Sequence, residues 1–245
     1  MCKISAIILI FFSFTACAPI IRDKSTASKE SFYKNALTQN GNNVVHVFSY
    51  NTKNKPYYFG TGFICHKKGL ICTARHVVAH NATTKTFVRI RQGNRNFIKK
   101  VIWIKTAQRH DLAILKVNHK FKTSVKIRLT PLKPDEFLYT LGYPHFTSTN
   151  KSLNKGLILS RGRFVKYRSE KFLEMGFDSV VQLSRIPVLG GNSGGPVFDI
   201  NGRVVGVVVF INKFGRVSYS FTSSIQMKYC VGLLAKISLL HNIKL

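Results

Sequence analysis

Residues 189–196 read LGGNSGGP, and the run continues as VFDINGRVVGVVVF. Ser193 therefore stands among four glycines, directly ahead of an apolar stretch. Such a run marks either an ordinary turn or a hydroxyl presented for nucleophilic attack. Attack requires an imidazole to take the hydroxyl proton and a third group to orient that imidazole. Among the eight histidines, His76 stands out: it follows GLICTA and opens the short turn RHVVA, so a strand would carry its ring to the surface of a domain. His46, His66, His80, His110, His119, His145 and His241 lie beside polar residues in expected loops or on strand faces, and read as solvated. Acids are scarce, nine against 38 Lys and Arg. Asp111, in RHDLAILKV, immediately precedes an apolar strand, where a partly buried carboxylate could accept the Nδ1–H of His76. Asp135, Glu136, Glu170, Glu174 and Asp178 occupy charged or turn-like surroundings and read as surface acids.

The elements that must position these groups are short and apolar. From Val44 onward the chain alternates strand-like runs rich in Val, Ile, Phe and Tyr with clusters of Gly, Asn, Pro and Lys. A dozen such runs with little helix argue an all-β barrel or sandwich arrangement. Asn201-Gly202 predicts a two-residue hairpin between VFDI and RVVGVVVF, because both residues tolerate positive φ. From Ser224, the residues Ile225, Tyr229, Val231, Leu234, Ile237 and Leu240 fall near a 3.6-residue period and predict a terminal helix over about 224–241. The polar residues 17–42 read as a tether, with room for one short helix, and 119–135 could join two halves. Residues 191–195 also fit G-x-S-x-G, the nucleophile elbow of α/β-hydrolases. That elbow needs a following helix and the chain order serine, acid, histidine. Here a hairpin follows, and His241 is the only later histidine.

Taken together, TGFIC with GLICTARHVV, HDLAILKV and GGNSGGPVFDINGRVVGV resemble a trypsin-like serine protease of the chymotrypsin fold, most closely the bacterial HtrA/Deg type, from about residue 43 to 240. The resemblance implies two six-stranded antiparallel β-barrels (about 43–130 and 131–223), a catalytic cleft between them and a closing C-terminal helix. It implies a triad of His76, Asp111 and Ser193, with Gly191 and Ser193 offering backbone N–H groups to the oxyanion. It implies a protein or peptide substrate, and neither metal nor cofactor. Asn192 replaces the aspartate that pairs with a freed N-terminus in zymogen-activated relatives, so that switch is not expected. A PDZ domain, usual after the protease in HtrA proteins, is not expected either. By strand alignment Pro187, Val209, Phe210, Ile211, Tyr219 and Ser220 would surround the substrate side chain, and the bulk of Ile211 favours a small or medium apolar residue there.

The first 16 residues carry a leader signature: Met1-Cys2-Lys3, then the apolar run Ile4–Phe14, too short to cross a bilayer at about 20 residues. FTACAPI resembles a lipoprotein signal with Cys17 as the first mature and lipidated residue; plain secretion and an uncleaved anchor are the alternatives. Export to a bacterial envelope, with a membrane reached through Cys17, is the resulting expectation. Cys65 and Cys72 flank HKKGLI at a hairpin tip, where either a disulfide or two buried small side chains would fit; the latter is preferred. The formal net charge of +29 is spread along the chain, and an exported protein carrying it would meet an anionic envelope surface rather than nucleic acid.

Overall fold

The computed structural model describes residues 24–50, 56–78, 85–93, 95–144, 157–172, 177–213 and 220–241. The expected leader and Cys17 lie outside the described residues.

Six strands close the first barrel. They are β1 (Val44–Tyr50), β2 (Pro56–His66), β3 (Leu70–Thr73), β4 (Lys85–Gln92), β5 (Arg95–Thr106) and β6 (Ala113–Val117). They pair antiparallel in the ring β1-β2-β3-β6-β5-β4, and β4 returns to β1. On β4 the burial alternates, with Thr86, Val88 and Ile90 inward, as a strand with one wet face requires. β3 and β6 are almost wholly buried, which is why LICT and AILKV carry apolar residues without alternation.

The second barrel contains β8 (Phe137–Gly142), β9 (Ile158–Phe172), β10 (Phe177–Ser184), β11 (Pro196–Asp199), β12 (Arg203–Lys213) and β13 (Ser220–Gln226). Its order is β11-β8-β9-β10-β13-β12, and the β11–β12 pairing brings the sheet back on itself. β7 (Lys126–Ile127) adds to the start of β12 in parallel, so the joining segment belongs to the second sheet from residue 126, earlier than expected. β12 serves two cores. Val205 and Val208 join Leu138, Phe164 and Val197 in the second barrel's cluster, whereas Val204, Val207 and Val209 belong to the main cluster that includes the first barrel. A strand buried on both faces explains the unbroken VVGVVVF.

Three local expectations are corrected. The hairpin after β11 is a three-residue connection, Ile200-Asn201-Gly202, in which Gly202 alone is left-handed (φ +71°). Asp199 explains this. Its buried carboxylate accepts the Asn201 and Arg203 amides at 3.0 and 2.9 Å, and its carbonyl accepts the Gly202 amide at 2.9 Å, which sets a turn ending in one αL residue. The same carboxylate meets Arg203 and Arg128, and Arg128 also pairs with Glu136, so Glu136 is not a free surface acid. The terminal helix, α2 (Met227–His241), begins after β13 rather than at residue 224. Its buried face is Met227, Cys230, Leu234 and Ile237, while Leu240 is 72% exposed.

The segment expected as a tether is helical over α1 (Lys24–Asn40) and docks on the second barrel. Phe32 meets Phe137 and Tyr139 edge to face at 5.2 and 5.4 Å. Asn40 donates from Nδ2 to the Tyr139 hydroxyl at 3.0 Å, and Ala36 is buried. Burial pushes the Tyr139 phenol up to about 12, so it stays protonated at any physiological pH. Helix formation here rests on these tertiary contacts, since the weakly amphipathic run alone would not sustain 17 residues. Phe32→Ala is expected to lower stability by about 2 kcal/mol, roughly 5 °C in Tm, read by calorimetry. An unchanged Tm would mean that α1 hangs free.

Candidate active site

His76 sits in a single 3-10 turn, Arg75–Val77, immediately after β3. Ala74 and Val77 are buried, so the turn is pinned and the ring is carried by a rigid strand end. Asp111 lies in the tight connection from β5 to β6. There the Ala107 amide bonds to the Leu112 carbonyl and the Leu112 amide to the His110 carbonyl, at 2.9 and 2.8 Å. The two residues meet twice. Asp111 Oδ1 accepts the backbone amide of His76 at 2.8 Å, and Oδ2 lies 2.5 Å from Nδ1 of the ring. The carboxylate is wholly buried and the imidazole side chain is 32% exposed. A carboxylate can only accept, so Nδ1 carries the hydrogen and Nε2 is the basic nitrogen.

The neighbour of Asp111 is held too. The His110 ring packs on Tyr229 of α2 at 3.8 Å between centroids. Burial, together with the Arg109 and Lys228 charges, holds its imidazole below the usual value. His46 corrects another expectation. It is buried between the rings of Phe59 and Tyr143, at 5.9 and 5.2 Å, rather than solvated. His119, His241 and His66 also have partners, in Gln92, Trp103 and the Lys68 amide. His80 and His145 lie outside the described residues.

Ser193 is half-buried on the loop between Val188 and β11. That loop is fastened to both barrels. The Gly194 amide donates to the Val208 carbonyl at 2.6 Å, and the Val208 amide returns a bond to the Gly195 carbonyl at 2.8 Å. From the first barrel, the Thr61 amide donates to the Ser193 carbonyl at 2.8 Å, and Thr61 Oγ1 donates to the Gly191 carbonyl at 2.7 Å. Gly191 and Gly194 have φ of +93° and +83°, which L side chains rarely adopt. At Gly194 a Cβ would also stand 2.1 Å from Thr73 Oγ1 and 2.2 Å from the Thr61 carbonyl. Glycine is needed there for close approach as well as for the turn. Gly60 links the serine to the histidine: a Cβ on it would lie 2.5 Å from Val77 and 3.0 Å from the Ser193 carbonyl. So the loop of Ser193 and the His76 turn both pack against β2 at Gly60.

Asn192 is buried, and its Oδ1 has no partner among the described residues. It rests over Gly142, where a Cβ would come within 2.5 Å of that oxygen. The amides of Asn192, Gly194 and Gly195 are all taken by backbone carbonyls. Of the residues expected around a substrate side chain, Val209 is buried at a bulge of β12 and Pro187 is exposed. Phe210 and Ile211 lie in β12, opposite Ser223 and Thr222, and Ser220 opens β13; these three are placed by backbone only. Tyr219 lies outside the described residues. Thr61 and Thr73 were not expected. The GTGFIC run was visible, but nothing in a threonine's spacing says that it will reach a loop 130 residues away.

Comparison with known proteins bears on the fold and the family. Residues 60–207 match the trypsin-like peptidase domain. A "Probable periplasmic serine endoprotease DegP-like" of Bartonella henselae is 32% identical over 171 residues, covering 68% of this chain and 31% of the relative. "Serine protease HTRA1A" of Danio rerio is 26% identical over 208 residues, covering 81% of this chain and 41% of the relative. The chain thus spans about a third of the DegP-like relatives' length. Among solved structures, the Rv3671c protease from M. tuberculosis in its active form superposes with a TM-score of 0.67 at 24% identity, covering 94% of each chain, a likeness of fold. On its motifs, its paired barrels and the extent of the family match, this chain belongs to the trypsin-like peptidase family.

Proposed function

We propose that the protein is a serine endopeptidase acting through His76, Asp111 and Ser193. The observation that carries this reading is the double contact of His76 with the buried Asp111, set beside a serine loop that the adjoining strand β2 of the same barrel holds in place. Nε2 of His76 takes the Ser193 proton as Oγ attacks the scissile carbonyl, and returns it to the departing amine. Asp111 fixes the tautomer and stabilises the imidazolium. The amides of Gly191 and Ser193 receive the oxyanion, and water then hydrolyses the acyl-enzyme by the same steps in reverse. The bulk of Ile211 in β12 favours a small or medium apolar substrate side chain.

The leader signature and the periplasmic description of the DegP-like relative support export to the bacterial envelope, with Cys17 as the lipidated residue. The large positive charge suits an anionic envelope surface. Binding to vesicles containing anionic lipid is expected to weaken steeply between low and physiological salt; binding indifferent to salt would remove charge from the account.

A fluorophosphonate probe is expected to label the folded protein, and Ser193→Ala to abolish labelling. Asp111→Asn is expected to cut kcat roughly 10⁴-fold. A folded sample that resists the probe would instead favour a catalytically silent module that binds a partner through the same cleft. Thr61→Val keeps the side-chain volume but leaves the Gly191 carbonyl and the Tyr143 amide without their partner. It is expected to lower kcat roughly 10- to 100-fold with KM little changed, by loosening the oxyanion amides.

A further inference from the structure

Three thiols are used by none of the chemistry above. Cys65 on β2, Cys72 on β3 and Cys230 on α2 are all free and buried. Two of them are in contact although far apart in sequence: Cys230 Sγ lies 2.9 Å from Cys72 Sγ, across 158 residues. That is within about 1 Å of the ~2.05 Å length of a disulfide. Both residues are 0% exposed, on elements that are themselves immobilised, Cys72 between β2 and β6 and Cys230 on the buried face of α2. Cys65 is the unpaired residue at a bulge of β2, between Ile64 and His66. The hairpin pairing considered from sequence, Cys65 with Cys72, is therefore not the one this geometry prepares.

We infer that Cys72 and Cys230 form a disulfide that staples the C-terminal helix to the first barrel, and that Cys65 remains a thiol. The electrons go to a dithiol-oxidising partner of the disulfide class. One cysteine thiolate displaces a thiol from the donor disulfide, the second cysteine displaces the other, and both protons leave with the two released thiols. Burial raises the Cys72 thiol well above its usual range, as it does Cys65. Exchange is therefore slow once the helix has docked. The bond forms while α2 is still undocked and is then shielded from reductants.

Its position gives the staple a bearing on the active site. Cys72 adjoins Thr73, whose Oγ1 donates to the Thr61 carbonyl at 2.7 Å, behind the contact that holds Ser193. Cys230 adjoins Tyr229, the ring on which His110 packs beside Asp111. One bond thus joins the chain neighbours of the serine-loop clamp and of the acid's support. Closing a loop of this length removes much of the unfolded chain's freedom. The export reading supplies an oxidising setting, but the bond chemistry does not depend on it.

The test is to unfold the full chain, refold it with oxidised glutathione or with dithiothreitol, and alkylate under denaturing conditions. Unreduced digests are then mapped by mass spectrometry. The oxidised sample is expected to yield the Cys72 peptide joined to the Cys230 peptide, with Cys65 alkylated, and a Tm higher by roughly 10 °C than the reduced sample. Cys65→Ala should keep that difference and Cys230→Ala should lose it. Alkylation of Cys65, Cys72 and Cys230 alike after oxidation, a linkage that includes Cys65, or equal Tm values for the two wild-type samples would overturn the inference. The wild-type comparison stands even where a variant fails to fold. The readouts are mass and Tm, so they are independent of whether Ser193 is catalytic.

Discussion

Thr61 takes part in four hydrogen bonds that together hold the two barrels in register at the site. Its amide holds the Ser193 carbonyl, its hydroxyl bridges the Gly191 carbonyl and the Tyr143 amide, and its carbonyl receives the Thr73 hydroxyl. The residue is buried in the middle of β2. Each bond is made between groups that cannot turn to water, so breaking one leaves a buried partner unsatisfied. The rest of the site follows from this constraint. Gly60 and Gly194 must lack side chains because the serine loop lies directly on β2 and on the β3 end. The His76 turn then sits beside that loop because β3 pairs with β2.

The scarcity of acids gives the few buried carboxylates clear roles. Asp111 and Asp199 are both wholly buried, and each accepts backbone amides as well as cationic or imidazole partners. Asp111 holds a histidine in one tautomer. Asp199 sets the turn after β11 and gathers Arg128 and Arg203, tying the segment between the barrels to the second of them. In a chain of net charge +29, a buried carboxylate surrounded by donors is electrostatically favoured and a buried cation is not.

Where sequence reading and structure part, the cause is most often a contact distant along the chain, the turn set locally by Asp199 being an exception. The polar segment before β1 has little periodicity, yet α1 forms because Phe32 and Asn40 find Phe137 and Tyr139 about a hundred residues later. His46 looks like a strand-face histidine in VVHVF, yet Tyr143 and Phe59 cover it. The terminal helix was legible, but its start was not, since Ser224–Gln226 complete the pairing of β13 with β12 and β10.

The sequence alone determined the all-β class, the order histidine, acid, serine, and the identity of each candidate group. Those rest on local features: residue type, alternation, and glycines around one serine. Only the tertiary structure decided which side chains meet. The double contact of Asp111 with His76, the clamp of Thr61 on the serine loop and the approach of Cys72 to Cys230 span 35, 130 and 158 residues. Contacts at such separations depend on barrel closure and strand register, which fix positions in space that no local pattern encodes.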